Sequence, residues 1–250
     1  MKKNISSRKG FSLVEVVIAI GIVAVLLTTF MAVFGPAQKN INKALGVAEA
    51  NRLVSTLENE MAILRTGEET ADITTSFEKA FQWISGSHDK NTAIVVFQHQ
   101  AIPNEEENGR LKPALDEVSN ESSLPGVDYI TQTVAKRIED VTEDELSPGV
   151  VEGKVYVVRM TQLYNKGGAA GLELLKNGNE LKAGIVNSSD DTTVLGNSVE
   201  YDDGYMTLQV EFFPLNNNLY AYVTGSGGTP AWDFDKLGTP VATQNIAIRR

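Results

Sequence analysis

The sequence predicts an α+β protein: a long N-terminal helix, membrane-spanning in its first half, packed against an antiparallel sheet. Three features point there. From Phe11 to Phe34 the chain is apolar apart from Ser12, Glu15, Gly21, Thr28 and Thr29. From Ile41 to Leu64 apolar residues then return mainly every three or four positions, the period of one helix face. In the C-terminal third, "GYMTLQVEFFPL" alternates, with Met206, Leu208, Val210 and Phe212 on one side, as expected of a half-buried strand.

A chain of 250 residues with 42% hydrophobic content suits one globular domain plus an accessory element. It carries 22 Lys and Arg against 32 Asp and Glu. Lys2, Lys3, Arg8 and Lys9 precede the apolar run, which leaves 18 basic against 32 acidic residues in the remainder. So acidic a body lacks the cations that neutralise phosphate, and no nucleic-acid partner is expected. Cysteine is absent, which rules out disulfides, thiolate zinc sites and a cysteine nucleophile.

At about 1.5 Å per residue, the run from Phe11 to Phe34 spans about 36 Å, enough for a hydrocarbon core of about 30 Å. The basic cluster before it holds residues 1–10 in the cytoplasm and sends the rest across the membrane. A secretory signal has a shorter apolar region, about 7–15 residues, and a small-x-small cleavage site. "TTFMAVFGPAQ" offers no A-x-A. A plain anchor accounts for length and flank but leaves Glu15 unexplained, since a charge in a membrane helix costs about 2.5–3.5 kcal/mol at its centre.

"KGFSLVEV" resembles the class III signal of type IV pilins and of the pseudopilins of type II secretion. The resemblance implies cleavage after Gly10 by prepilin peptidase, a membrane-embedded aspartic peptidase, and N-methylation of the new terminal residue, Phe11. It also implies that Glu15 faces the terminal amine of a neighbouring subunit during filament assembly. A carboxylate in low dielectric gains most from a cation within reach, and cleavage creates one at the right depth. The implied partners are other pilin-like subunits, the peptidase, the inner-membrane assembly platform and, through the helix, the membrane itself. The implied location is the inner membrane, single pass, with the globular domain extracytoplasmic, and then a filament in the periplasm or at the cell surface. "LVEVVIAIGI" is similar to minor pilins and minor pseudopilins. Many major pilins have proline where this chain has Ala32, and often a C-terminal disulfide that this chain cannot form.

Four segments follow from this: a cleaved leader over 1–10, a transmembrane and assembly helix over 11–34, its amphipathic continuation over 35–66, and an α+β domain over 67–250. Gly35-Pro36 predicts a kink, because proline removes a backbone donor and crowds the preceding turn. In the continuation, Ile41, Leu45, Ala48, Val54, Leu57, Met61 and Leu64 form the stripe expected to pack on the domain, with Gly67 as the stop. "TADITTSFEKAFQWISG" predicts a second helix, with Thr75 and Glu78 as a capping box and Phe77, Phe81 and Ile84 on one face. "NTAIVVFQ" reads as a buried strand, and 103–125 as an exposed acidic loop. Val127–Val141 fits a helix or a strand. "KVYVVRMTQLY" is strand-like. Beyond Asn216 to Asn218, "LYAYVTG" is expected to form a hairpin with "GYMTLQVEFFPL", Leu219, Ala221 and Val223 facing inward.

Catalytic patterns are sparse. His88 and His99 lack a third ligand at metal spacing and are expected to face solvent. No G-x-S-x-G, Walker A, Rossmann or H-E-x-x-H signature occurs. No cofactor is expected. Asp190-Asp191, Asp202-Asp203 and the pair Asp233 and Asp235 are weak calcium candidates: their oxygens suit the ion, and some pseudopilins bind calcium in a C-terminal loop, but their spacing matches no established calcium loop. Trp232 is expected to plug the core edge. Three functions compete: a structural filament subunit without catalysis, a binding module at a filament tip, and an anchored enzyme or sensor.

Overall fold

The computed structural model describes residues 12–120, 122–165, 172–177, 180–188, 193–225 and 229–250. The chain divides into two compact units, one ending at Ala48 and one from Glu49 to the C-terminus. In the first unit, helix α1 (Leu13–Ala62) begins and carries a continuous apolar surface. Its backbone is helical through Gly35 and Pro36, so the bend expected there does not interrupt it.

The second unit contains the end of α1, helix α2 (Ser76–Gly86) and short helix α3 (Leu115–Ser119). Its main strands are β1 (Ile94–Glu107), β2 (Arg110–Pro113), β3 (Ile130–Arg137) and β4 (Val151–Asn165). Strands β5 (Leu172–Leu174), β6 (Lys176–Asn177) and β7 (Glu180–Leu181) are short, and β8 (Tyr205–Pro214) and β9 (Ala242–Arg249) complete the set. The main sheet is antiparallel, ordered β2-β1-β4-β8-β9, with β3 paired to β1 and β5 to β4; β6 and β7 form a separate ribbon.

Both faces of the main sheet are covered. On one face Leu53, Leu57 and Met61 of α1 and Phe77, Phe81 and Ile84 of α2 pack with Ile94, Val96, Val158, Met160 and the four predicted β8 residues. On the other, Val95, Phe97, Val134, Val157 and Phe213 pack under Ile138, Val141, Leu146, Val223 and Trp232. A strand buried on both sides reads as an unbroken apolar run, which is what "AIVVF" is. At about 1.5–3 kcal/mol per large side chain, such burial is the dominant stabilising contribution.

The α2 prediction holds in detail. Thr75 is the N-cap, its hydroxyl accepts from Glu78 N–H at 3.2 Å, and Glu78 Oε2 accepts from Thr75 N–H at 2.9 Å. Elsewhere the structure corrects the expectations. The packed stripe of α1 begins at Ala50 and includes Leu53, whereas Ile41 and Leu45 are 59% and 63% exposed. The helix also ends at Ala62, short of residue 66, and Gly67 instead serves a later turn at φ 89°, where the Glu68 N–H reaches the Arg65 carbonyl.

Within the segment 103–125, expected as a loop, residues 103–119 are instead largely strand and helix. β1 continues to Glu107 and turns through Asn108 and Gly109, both at positive φ (52° and 70°), into β2, and α3 follows. That is the two-residue Asn-Gly hairpin, whose backbone twist matches the strands it joins. The ambiguous stretch around residues 127–141 resolves as strand β3 followed by a 3-10 turn, Ile138–Asp140.

β8 pairs with β4 and β9, not with "LYAYVTG", which forms a π-type helical turn, Ala221–Gly225, with Leu219 exposed. Asn217 Oδ1 accepts from Leu219 N–H at 2.9 Å, and the Leu219 carbonyl accepts from Tyr222 and Val223 N–H. This local turn chemistry competes with the ladder and wins. β9 had its own signal: Ala242, Ile246 and Ile248 are its buried residues, all at even positions.

Candidate functional site

The start of α1 is built by its own residues. Ser12 caps it: its hydroxyl accepts from Glu15 N–H at 3.2 Å, and its carbonyl accepts from Val16 N–H at 3.2 Å. Glu15 thus occupies the third helical position, within the first turn, where unpaired N–H groups and the helix dipole favour negative charge. A pattern S-x-x-E before an apolar run signals this cap, and "SLVE" carries it. The carboxylate therefore gains a favourable setting from its own helix, besides any partner it finds.

From Leu13 to Phe34, 22 residues form a helix long and apolar enough to cross a membrane, about 33 Å at the helical rise. Its two hydroxyls need no outside partner: Thr28 and Thr29 donate to the Ala24 and Val25 carbonyls at 2.7 and 2.8 Å. Backbone and hydroxyl groups satisfied within one helix are what hydrocarbon demands. Phe30 and Phe34 stack one turn apart, their ring centres 5.2 Å apart. Gly10, Phe11 and the basic residues Lys2, Lys3, Arg8 and Lys9 lie outside the described residues, so the expected cut site and methylation site are known from sequence alone.

The domain has a charged centre that the sequence did not announce. Glu60, in the last turn of α1, is 4% exposed, and Lys79, on the inner side of α2, is 1% exposed. Lys79 Nζ donates to Glu60 Oε1 at 2.9 Å, to Glu68 Oε2 at 2.6 Å and to the Ile63 carbonyl at 3.1 Å, and lies 4.9 Å from the centre of the Trp83 ring. Arg65 makes a forked contact with Glu60, and Arg110 of β2 reaches both Glu60 and Glu68. Burial pushes the Glu60 carboxyl up, but the Arg65 hydrogen bond and the charges of Arg110 and Lys79 outweigh it and hold it below the ordinary value. The cluster joins α1, α2 and the β1–β2 hairpin. A lysine beside Phe77, Ala80 and Phe81 in a helix sequence was its one available signal.

The histidines separate. His88 is exposed, as expected, whereas His99 is fully buried on β1, contrary to expectation. The alternation of β1 places it on the same face as Val95 and Phe97, beneath a covering segment the sequence did not reveal. Asp202 and Asp203 are exposed, and Asp190 and Asp191 lie outside the described residues. Asp233 caps a short 3-10 turn, its Oδ1 accepting from Asp235 N–H at 3.2 Å. Among the described residues, no three His, Asp or Glu side chains are placed to hold a metal ion. Trp232 is buried, as expected, and its indole N–H donates to the Val223 carbonyl at 2.9 Å.

Residues 5–31 match the family model described as the prokaryotic N-terminal methylation motif. The match supports reading this end of the chain as a type IV pilin-like class III signal. It points to a structural subunit rather than an enzyme, and implies in general terms pilin-like neighbours and processing by prepilin peptidase. Comparison with curated proteins and with solved structures returned no match.

Proposed function

We propose that this chain is a structural subunit of a type IV pilus-like or type II secretion filament, of the minor pilin or minor pseudopilin kind. Prepilin peptidase cuts after Gly10, Phe11 becomes the methylated N-terminus, and the helix from Phe11 to Phe34 passes from lipid into a bundle of like helices. Glu15 sets the register by pairing with the Phe11 amine of the next subunit. The domain is extracytoplasmic and performs no catalysis.

The observation that carries this reading is the methylation motif at residues 5–31, continuous with an exposed apolar helix over Leu13–Phe34. The capped first turn adds support, because it holds Glu15 where a carboxylate is tolerated until its partner arrives. Mass spectrometry of the N-terminal peptide from cells tests it. The expected peptide begins at a methylated Phe11. A mature protein that retains residues 1–10 would instead favour an anchored enzyme or sensor.

A further inference from the structure

Over β1, the second face of the sheet is covered by the segment 138–150, tied to that strand at both ends. Ile138 N–H donates to the Ala93 carbonyl at 2.9 Å, and Gln100 N–H donates to the Val150 carbonyl at 2.8 Å. Between these ties lie Val95, Phe97 and His99 of β1, and Ile138, Val141 and Leu146 of the cover belong to the same apolar cluster as Val95 and Phe97. His99 is 0% exposed, its ring centre is 5.9 Å from that of Phe97, and neither ring nitrogen has a protein partner of good hydrogen-bond geometry.

A neutral imidazole needs one acceptor for its N–H, and an imidazolium needs two. The surroundings provide poorly for the second. On β3, Gln132 stands directly across from His99, and its Oε1 is buried without a partner. On β4, the residue across from His99 is Val151, which offers no side-chain acceptor; Glu152 is already bonded by Gln100 and Thr131. On the cover, Glu145 is engaged at both oxygens: Lys136 Nζ holds one at 2.6 Å, and Thr142 N–H donates to the other at 3.0 Å. Asp140 contributes its carbonyl to Lys136, and Arg110 of β2 is a further cation. The strand register places the Lys136 side chain on the same face, where it repels a charged His99.

We propose that His99 is an acid-sensitive latch beneath the 138–150 cover: neutral, it keeps its dry position, and on taking a proton it must draw Glu145 from Lys136 and Thr142 or leave, loosening the cover. Burial lowers the affinity of the ring for a proton; Glu145 and a marginal contact with the Gln100 backbone raise it, Lys136 and Arg110 lower it, and the balance lies below the ordinary value. The folded form thus binds fewer protons than an opened form in which the ring ordinarily titrates near 6.5. Stability of the closed cover is complete above that pH and declines as pH falls towards the folded value.

The test uses the full chain in detergent micelles with His88→Gln, so that His99 is the single imidazole. NMR follows the His99 ring and amide exchange between pH 7.5 and 5. A ring midpoint below about 6.5 is expected. After correction for intrinsic exchange, protection over 138–150 should fall by up to about tenfold per pH unit as pH drops from about 6.5 towards that midpoint and level off below it, while α2 is unaffected. Substituting His99→Gln should abolish the pH dependence, with His99→Phe as the second variant. A ring that titrates at or above about 6.5 overturns the proposal. So does protection over 138–150 that is indifferent to pH, or that falls equally in the variants. Should neither variant fold, the pH window decides: protection lost between about 6.5 and the ring midpoint supports the proposal, and loss confined to lower pH overturns it.

Discussion

Lys79 Nζ and Glu60 Oε1 lie 2.9 Å apart, one on α2 and the other on the last turn of α1, with side chains only 2% and 4% exposed. Two buried charges repay their desolvation only when nearly all their hydrogen-bonding capacity is used. Here Lys79 makes three contacts, and Glu60 is shared among Lys79, Arg65 and Arg110. Lysine near a helix C-terminus also satisfies a carbonyl that the helix itself leaves over, here that of Ile63.

Truncating Lys79→Ala leaves Glu60 short of a donor in a dry site. A loss of about 3–5 kcal/mol in urea unfolding of the chain is expected. A loss below about 1 kcal/mol would mean the pair behaves as a surface ion pair.

The same cluster predicts an acid limb. The Glu60 carboxyl is held below its ordinary value, so its contribution is fully present above the unfolded value of 4.5 and is lost as pH falls through the lower folded value. Stability measured from pH 5 downward should therefore drop less steeply in Glu60→Gln than in the parent chain. Parallel curves would remove Glu60 as the cause.

Gly184 sits at φ 70°, and a Cβ built there would overlap Nδ1 of His88 and lie 2.9 Å from its Cβ. Gly184→Ala should cost about 1–2 kcal/mol from the left-handed backbone alone, with the clash added. His88 is exposed, so His88→Ala by itself should change little. The double variant should recover part of the loss, with a coupling of about 0.5–3 kcal/mol. Simple additivity would show that the two residues do not touch.

Replacing Trp232→Ala removes a buried indole and leaves the Val223 carbonyl without its N–H donor. A loss of about 3–5 kcal/mol is expected by thermal or urea unfolding. Trp232→Phe retains most of the packing against Phe234, whose ring lies 5.2 Å away, and should cost clearly less.

On the proposed function, Glu15→Ala should insert in the membrane and be cut after Gly10 no less than the parent chain, since removing a charge only favours insertion. It should fail to enter filaments, as judged by sedimentation of sheared filaments or by crosslinking to neighbours. Normal incorporation would leave Glu15 with no function beyond the first turn of its own helix.

Local chemistry was legible in the residues and stayed so in the structure. The apolar run, the Thr75–Glu78 cap, the unbroken "AIVVF" and the alternation of Tyr205–Pro214 depend on neighbours within a few positions. The membrane-length helix belongs to the same class, since length and hydropathy alone define it. Two local signals were also present but were outweighed: Asn108-Gly109 inside an acidic stretch, and Ala242, Ile246 and Ile248 at the end of the chain.

Other features came from contacts between distant parts of the chain. The strands beside β8 are β4 and β9, far from it in sequence, while the segment just after it is held in a turn by Asn217. Glu60 and Lys79 are 19 positions apart, and Arg110 another 31 further on, so no window of sequence brings them together. His99 looked solvent-facing because it stands near a strand end with no third ligand at metal spacing, yet a segment 39 to 51 positions later closes over it. Secondary structure follows short-range periodicity and turn chemistry, whereas burial of a charge or an imidazole is decided by whatever surface the rest of the chain places above it.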